Sequence, residues 1–192
     1  MKHFKKQDLE FTDTERLQKE TLEILYNISG GVPDKYYLLN YVCLTQIPGD
    51  PKSTGLEAMR RGLYWTKPDS SSKEVTREDK IDESKYTEFC GKYSGTYFEE
   101  IHRELSKRWM IGRMRLIIIQ PRTCLSWHRD PEPRLNIAVQ ANSGSFLVID
   151  DEQFILPVDG SVWLTDTTNY HTAYNGGETD KISLVMTCLG ES

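Results

Sequence analysis

The chain has 192 residues, 38% of them hydrophobic and 28% charged, and a formal net charge of −5. That length suits one domain with a sizeable core, and no apolar run approaches the roughly 20 residues that span a bilayer. The acid surplus argues against a broad nucleic-acid surface, which needs excess lysine and arginine to neutralise phosphates.

The opening MKHFKKQDLEFTDTER is basic, then acidic and polar, and lacks the apolar stretch of a signal peptide; the expectation is a cytoplasmic protein with no membrane partner. Thr12 with Glu15 forms a capping-box pattern, and Leu17, Thr21, Ile24, Leu25 and Ile28 recur at helical spacing until Ser29-Gly30-Gly31. Residues 36–47, YYLLNYVCLTQI, read as a buried strand closed by Pro48-Gly49. Residues 66–85 are polar and charged, which predicts a mobile surface loop that could act as a lid. Helical spacing returns over 96–109 through Tyr97, Ile101, Leu105 and Trp109.

After Met110 short apolar segments alternate with turn residues, the pattern of an antiparallel sandwich or barrel. The expectation is one domain over 1–192, with a helical and mixed part over 1–109 and a β core over 110–190. Cys43, Cys90, Cys124 and Cys188 are far apart with no CxxC pair, which fits reduced thiols better than a zinc site or a disulfide framework.

The stretch LSWHRDPEPRLNIAV carries the chemistry. On a strand, His128 and Asp130 project to one face while Arg129 points away, so the pair can share a metal ion. The remaining histidine of the β half, His171, is the candidate third ligand. Two histidines and one carboxylate can hold Fe(II) and leave three positions open, although Mn(II) and Zn(II) accept the same ligand types.

Asn175-Gly176 is a hairpin signal, and a hairpin centred on Gly176 sets His171 opposite Lys181, with Cβ atoms about 5 Å apart and Ser183 on the same face. A lysine aimed into an apolar barrel needs an anion, which implies a carboxylate ligand beside the metal. A hairpin centred between two residues would instead turn Lys181 away.

In RLNIAVQ, Arg134, Asn136 and Gln140 form a polar row opposite Leu135, Ile137 and Val139. Turned inward, such a row lines a barrel-mouth site; turned to water it reads identically. Arg122 and Trp127 flank the site, and Trp127 and Trp163 read as packing residues. Asp166 either orients His171 or ends a strand. His3 and His102 have ordinary structural readings.

HxD at 128–130, His171 in DTTNYHTAYN, the basic residue ten positions later and RLNIAV together resemble the Fe(II)/2-oxoglutarate-dependent dioxygenases. The branch is the aspartyl/asparaginyl β-hydroxylase-like one, which also includes some amino-acid proline hydroxylases, and the resemblance covers residues 110–190. It implies a mainly β, double-stranded β-helix (jelly-roll, cupin-like) fold with N-terminal helices on the outer sheet. It implies that His128, Asp130 and His171 ligate Fe(II). Lys181 and Ser183 would hold the distal carboxylate of 2-oxoglutarate, and Arg134 would face the cosubstrate or the substrate. Asn136 completes the cofactor-binding set, standing where the family's RxH motif has histidine.

The implied reaction uses 2-oxoglutarate and O₂ to hydroxylate an amino acid, peptide or protein side chain, with succinate as coproduct. This chain departs from the family in having Asn136 for that histidine and Lys181 for the usual arginine; an ammonium neutralises a carboxylate without arginine's bidentate contact. Two other readings stay open: a non-catalytic β-barrel module binding a carboxylate ligand, and a cupin-type metalloenzyme that does not use 2-oxoglutarate.

Overall fold

Period-2 alternation in the second half of the chain builds two antiparallel sheets, and the residues turned toward the space between them form the site. A computed structural model describes residues 1–30, 41–54, 66–78 and 80–192. The first half contains β1 (Phe4–Glu10), α1 (Thr14–Ile28), β2 (Tyr41–Cys43), β3 (Thr45–Gln46), β4 (Thr66–Pro68), β5 (Glu74–Thr76), β6 (Glu88–Phe89) and α2 (Tyr97–Leu105). The second half contains β7 (Trp109–Ile119), β8 (Thr123–Cys124), β9 (Arg134–Gln140), β10 (Ser145–Ile149), β11 (Glu152–Phe154), β12 (Ser161–Thr165), β13 (His171–Asn175) and β14 (Lys181–Glu191).

The larger sheet has the order β1-β12-β9-β14-β7-β2 and the smaller β11-β10-β13-β8. In β9 the alternation sorts Leu135, Ile137 and Val139 to the outer face, where they join one hydrophobic cluster with Leu17, Leu25, Phe98, Ile101 and Leu105 of the two helices. The helices therefore cover the outside of the larger sheet. Ala138 and Ile119 join Leu147, Ile149 and Ala173 of the smaller sheet in a second cluster. No helix among the described residues is long and apolar enough to cross a membrane.

Several expectations shift. The cap of α1 is Asp13, whose side chain accepts from the Arg16 backbone N–H at 3.1 Å, one residue past Thr12. Trp109 opens β7 instead of ending α2, because the helix stops at Ser106 before Lys107 and Arg108. β1 was not foreseen; its polar-rich text pairs with β12. The strand expected over 36–47 is seen from Tyr41 as β2 and β3, and 36–40 lie outside the described residues. Within 66–85 the chain forms the β4–β5 hairpin and a 3₁₀ turn at Glu83–Lys85.

The His171–Lys181 hairpin does not form. β13 pairs with β10, placing Ile149 opposite His171, whereas β14 pairs with β7, placing Ile119 opposite Lys181. The buried Asn175 side chain explains the change of sheet. Its amide donates to the carbonyls of Ile119 (2.9 Å) and Thr179 (2.8 Å) while its oxygen accepts from Asn142 (3.0 Å), so polar groups that a hairpin ladder would satisfy are satisfied across a crossover. The crossover rests on the 142–144 turn, where Gly176 N–H donates to the Gly144 carbonyl at 2.9 Å. A Cβ on Gly144 would stand 2.6 Å from the Gly177 nitrogen. Gly144→Ala is therefore expected to cost about 2 kcal/mol or more in urea unfolding, with Gly91→Ala, whose Cβ meets open space, within about 0.5 kcal/mol of the parent.

Candidate active site

His128 and His171 converge through their backbones. Each N–H donates to the other's carbonyl, at 3.0 and 2.7 Å, making an isolated antiparallel bridge outside the named strands. Residues 128–130 are thus a bridged loop, not the continuous strand expected. Residues paired in this way face each other directly and present their side chains to the same side, and the two imidazole centroids lie 4.2 Å apart. Asp130 is anchored next to them by its own N–H, which donates to the Thr167 carbonyl at 2.8 Å. One ligand atom from each of His128, Asp130 and His171 lies within 4.8 Å of the others, and the closest His171–Asp130 approach is Nε2 to Oδ2 at 3.7 Å.

The tautomers follow from hydrogen bonding. His128 Nδ1 meets the Ser126 carbonyl at 2.5 Å and His171 Nδ1 meets the Asn169 carbonyl at 3.0 Å. A carbonyl only accepts, so each Nδ1 carries the proton and each Nε2 carries the lone pair. Burial and the adjacent His171 ring hold His128 down at about 4, and burial lowers His171, so both rings are neutral at pH 7. Asp166 orders the turn carrying Asn169 by accepting from the Thr168 hydroxyl (2.5 Å) and the Asn169 amide (2.8 Å); it reaches His171 only through that turn.

These groups border a cavity of about 310 Å³ whose wall also includes Arg134, Asn136, Lys181 and Ser183. Lys181 is buried, its ammonium donates to Ser183 Oγ at 3.3 Å, and burial alone pushes it down to about 8. Among the described residues no carboxylate contacts it. Asn136 donates to Thr165 Oγ1 at 2.8 Å. Gln140, the third member of the expected polar row, turns to the Asp180 carbonyl at 2.9 Å. Trp127, next to His128 in the chain, is half-exposed and stacked on Tyr170, with ring centroids 6.4 Å apart.

Arg134 is held by acids: Nε lies 3.1 Å from Asp130 Oδ2, Nη2 2.8 Å from Glu83 Oε2 and Nη1 3.5 Å from Glu132 Oε2. Glu83 was not foreseen, and nothing in its polar surroundings marks it. It also meets Arg113 at 3.3 Å and Arg115 at 3.0 Å, and it accepts from the Thr187 hydroxyl at 2.8 Å. The two arginines are legible after the fact: RMR opening an apolar strand puts two cations on one buried face, which demands an acid. Glu74 of β5 binds Arg129 at 3.1 Å and the Tyr170 hydroxyl at 2.7 Å, docking the β4–β5 hairpin on the neighbours of both histidines.

Residues 83–190 match the family described as Aspartyl/Asparaginyl beta-hydroxylase, and the chain belongs to that family of hydroxylases. Among solved structures, the chain is similar to an oxidoreductase of the 2OG-Fe(II) oxygenase family from Burkholderia pseudomallei, at 16% identity and TM-score 0.37 over 48% of this chain and 48% of that one. The chain thus spans about half of that protein's length. Viral collagen prolyl hydroxylase vCPH from Paramecium Bursaria Chlorella virus-1, in its 2OG complex, is similar at 12% identity and TM-score 0.37, over 47% of this chain and 68% of that one. AviO1 from Streptomyces viridochromogenes Tue57 is similar at 13% identity and TM-score 0.49, over 97% of this chain and 89% of that one. No curated protein matches the sequence.

Burial alone would raise the Glu83 carboxyl, but the charges of Arg115, Arg134 and Arg113 override it and bring it to about 2, against 4.5 for an ordinary glutamate. A carboxyl depressed in the folded state contributes stability above its unfolded value and loses it as pH falls through the folded one. Glu83→Gln is accordingly expected to be less stable than the parent at pH 7 by about 3 kcal/mol. In urea titrations over a pH series the gap should narrow between about 4.5 and 2; a gap that does not change with pH would assign its stability effect to shape, not charge.

Proposed function

We propose that the chain is an Fe(II)- and 2-oxoglutarate-dependent oxygenase that hydroxylates a C–H bond of an amino acid, peptide or protein side chain. The carrying observation is the convergence of His128, Asp130 and His171 to within 4.8 Å, with both imidazoles neutral and tautomerically fixed. Family membership over 83–190 and the two facing sheets support reading 110–190 as the double-stranded β-helix core of a single domain.

The donor set fits the metal. Two neutral imidazoles and a carboxylate on one side of an ion suit Fe(II) and leave room for further ligands, and the carbonyls that hold each Nδ1 are the kind of outer support that metal-bound histidines use. Bound iron would supply oxygen activation coupled to decarboxylation of 2-oxoglutarate, so that substrate C–H, 2-oxoglutarate and O₂ become the alcohol, succinate and CO₂.

The remaining roles belong to the chain itself. Arg134 is a positioning residue: its ion pair with Asp130 fixes which carboxylate oxygen faces the histidines. The Lys181 ammonium and Ser183 hydroxyl receive the far carboxylate of 2-oxoglutarate, replacing solvent that burial has removed. Asn136, whose amide donates to Thr165 Oγ1 at 2.8 Å and to the Arg134 carbonyl at 3.5 Å, lines the wall where the cosubstrate's other end would lie. Ile117, Ile119, Leu147 and Val185 on the cavity wall exclude water from the reacting carbon.

Anaerobic Fe(II) with 2-oxoglutarate is expected to give a weak visible charge-transfer band in the parent and none in His128→Ala or His171→Ala, with succinate formation following the same pattern. Succinate made equally by both variants would defeat the reading. Lys181 gives a second test. Because its ammonium must be charged to meet the diacid and loses its proton at about 8 in the unliganded protein, 2-oxoglutarate affinity should be flat below that pH and fall about tenfold per unit above it. In Lys181→Arg, the fall should be absent up to about pH 10.

A further inference from the structure

Along β14 the cavity-lining residues are Lys181, Ser183 and Val185, and across the ladder on β7 they meet Ile119, Ile117 and Arg115. Arg115 therefore stands four residues from Lys181, roughly 13 Å along the strand. Two cationic residues thus line one cavity, four strand positions apart.

On the cavity wall and directly behind it, the four cations Arg113, Arg115, Arg134 and Lys181 stand against three carboxylates, those of Glu83, Asp130 and Glu132. A divalent metal and a dianionic cosubstrate cancel one another. At least one positive charge is left over in a buried wall, where an unneutralised cation is costly.

Arg115 is the group with capacity to spare. It is 8% exposed, it lines the cavity, and its polar contacts are both from Nη2 to Glu83, at 3.0 and 3.3 Å. Its buried Nε has no hydrogen-bond partner. Arg134, whose Nε and Nη1 also lack hydrogen-bond partners, nonetheless ion-pairs with three acids, whereas Arg115 shares the one carboxylate of Glu83. Tyr41, opposite Ile117 on β2, borders Arg115 with its ring at 5.7 Å.

Resting on the oxygenase reading above, we propose that Arg115 is the seat for a free carboxylate of the molecule to be hydroxylated, and that this substrate is a small carboxylic acid of amino-acid size. The carboxylate would sit against β7 at Arg115, with the carbon skeleton against Ile117, Val185 and Ala173. A cavity of about 310 Å³ shared with 2-oxoglutarate admits a molecule of that size.

The test is calorimetric and needs no turnover. Protein loaded with redox-inert Zn(II) and 2-oxoglutarate is titrated with the common L-amino acids and with their carboxamides, which keep the shape and remove the charge. At least one acid is expected to bind tenfold or more tighter than its amide. In Arg115→Lys, which keeps a cation beside Glu83, the same acid should weaken at least tenfold while 2-oxoglutarate affinity stays within twofold.

Acids and amides binding within twofold of each other would overturn the proposal, as would a panel in which no acid binds. Equal weakening of 2-oxoglutarate and acid in Arg115→Lys would overturn it too, assigning Arg115 to the cosubstrate's seat. The acid and amide comparison in the parent stands even where the variant fails to fold. It is repeated without Zn(II) and 2-oxoglutarate, so that failure of 2-oxoglutarate to bind counts against the oxygenase reading while acid-over-amide discrimination separately tests Arg115.

Discussion

The site depends on one reciprocal pair of backbone hydrogen bonds, His128 N–H to the His171 carbonyl and His171 N–H to the His128 carbonyl. Side chains on residues that exchange both bonds must lie side by side; no property of the imidazoles is needed to bring them together. The bonds on either side reinforce the pair, with Leu125 N–H on the Ala173 carbonyl and Asp130 N–H on that of Thr167. The segment 125–130 therefore runs antiparallel along 167–173, and Pro131 and Pro133 then turn the chain into β9. The ligand geometry is inherited from sheet closure, and the tautomers follow because each Nδ1 finds a carbonyl two residues away.

The arginine and glutamate cluster has a different physical standing. Buried ion networks seldom stabilise a fold more than an apolar replacement would, though breaking one is costly. Its position is the better explanation for its presence. Glu83 sits on a short turn between β5 and β6 and reaches Asp130 through a single guanidinium, that of Arg134. Nine residues earlier, Glu74 grips Arg129 and Tyr170. The polar segment thus touches the neighbours of His128 and His171 on one side and the arginine paired with Asp130 on the other, which makes it part of the site's frame.

What was legible in the sequence and what was not divides by the range of the interactions involved. Alternation in RLNIAVQ and SVWLTD is a local property of the pleat, so the β segments and the shared face of Arg134 and Asn136 could be read directly, whereas which way that face turns depends on the packing of the second sheet. HxD and the distal histidine were legible because few residue types bind metals. β1 was missed because its text, FKKQDLE, is polar wherever it does not touch the larger sheet; its strand character comes from pairing with β12. Trp109 continued the helical spacing by chance, while the Lys107-Arg108 pair that ends the helix carried no strong stop signal. Glu83 was illegible because its partners are arginines thirty and more positions away.

Lys181 reaches the cavity wall without the hairpin expected for it. A hairpin placed it opposite His171; the crossover instead sends β14 into the other sheet. It still faces the cavity because strand faces alternate with period two whatever the partner, and Asn175 starts β14 on the phase that turns Lys181, Ser183 and Val185 inward. The same phase, read across to β7, turns Arg115 and Ile117 inward as well. Parity alone thus puts an ammonium and a guanidinium on one wall. Their chemistry then separates them: the ammonium is a compact point charge that can follow one end of a flexible diacid, whereas a planar fork suits a carboxylate whose orientation must be fixed while a bond elsewhere in the same molecule is broken.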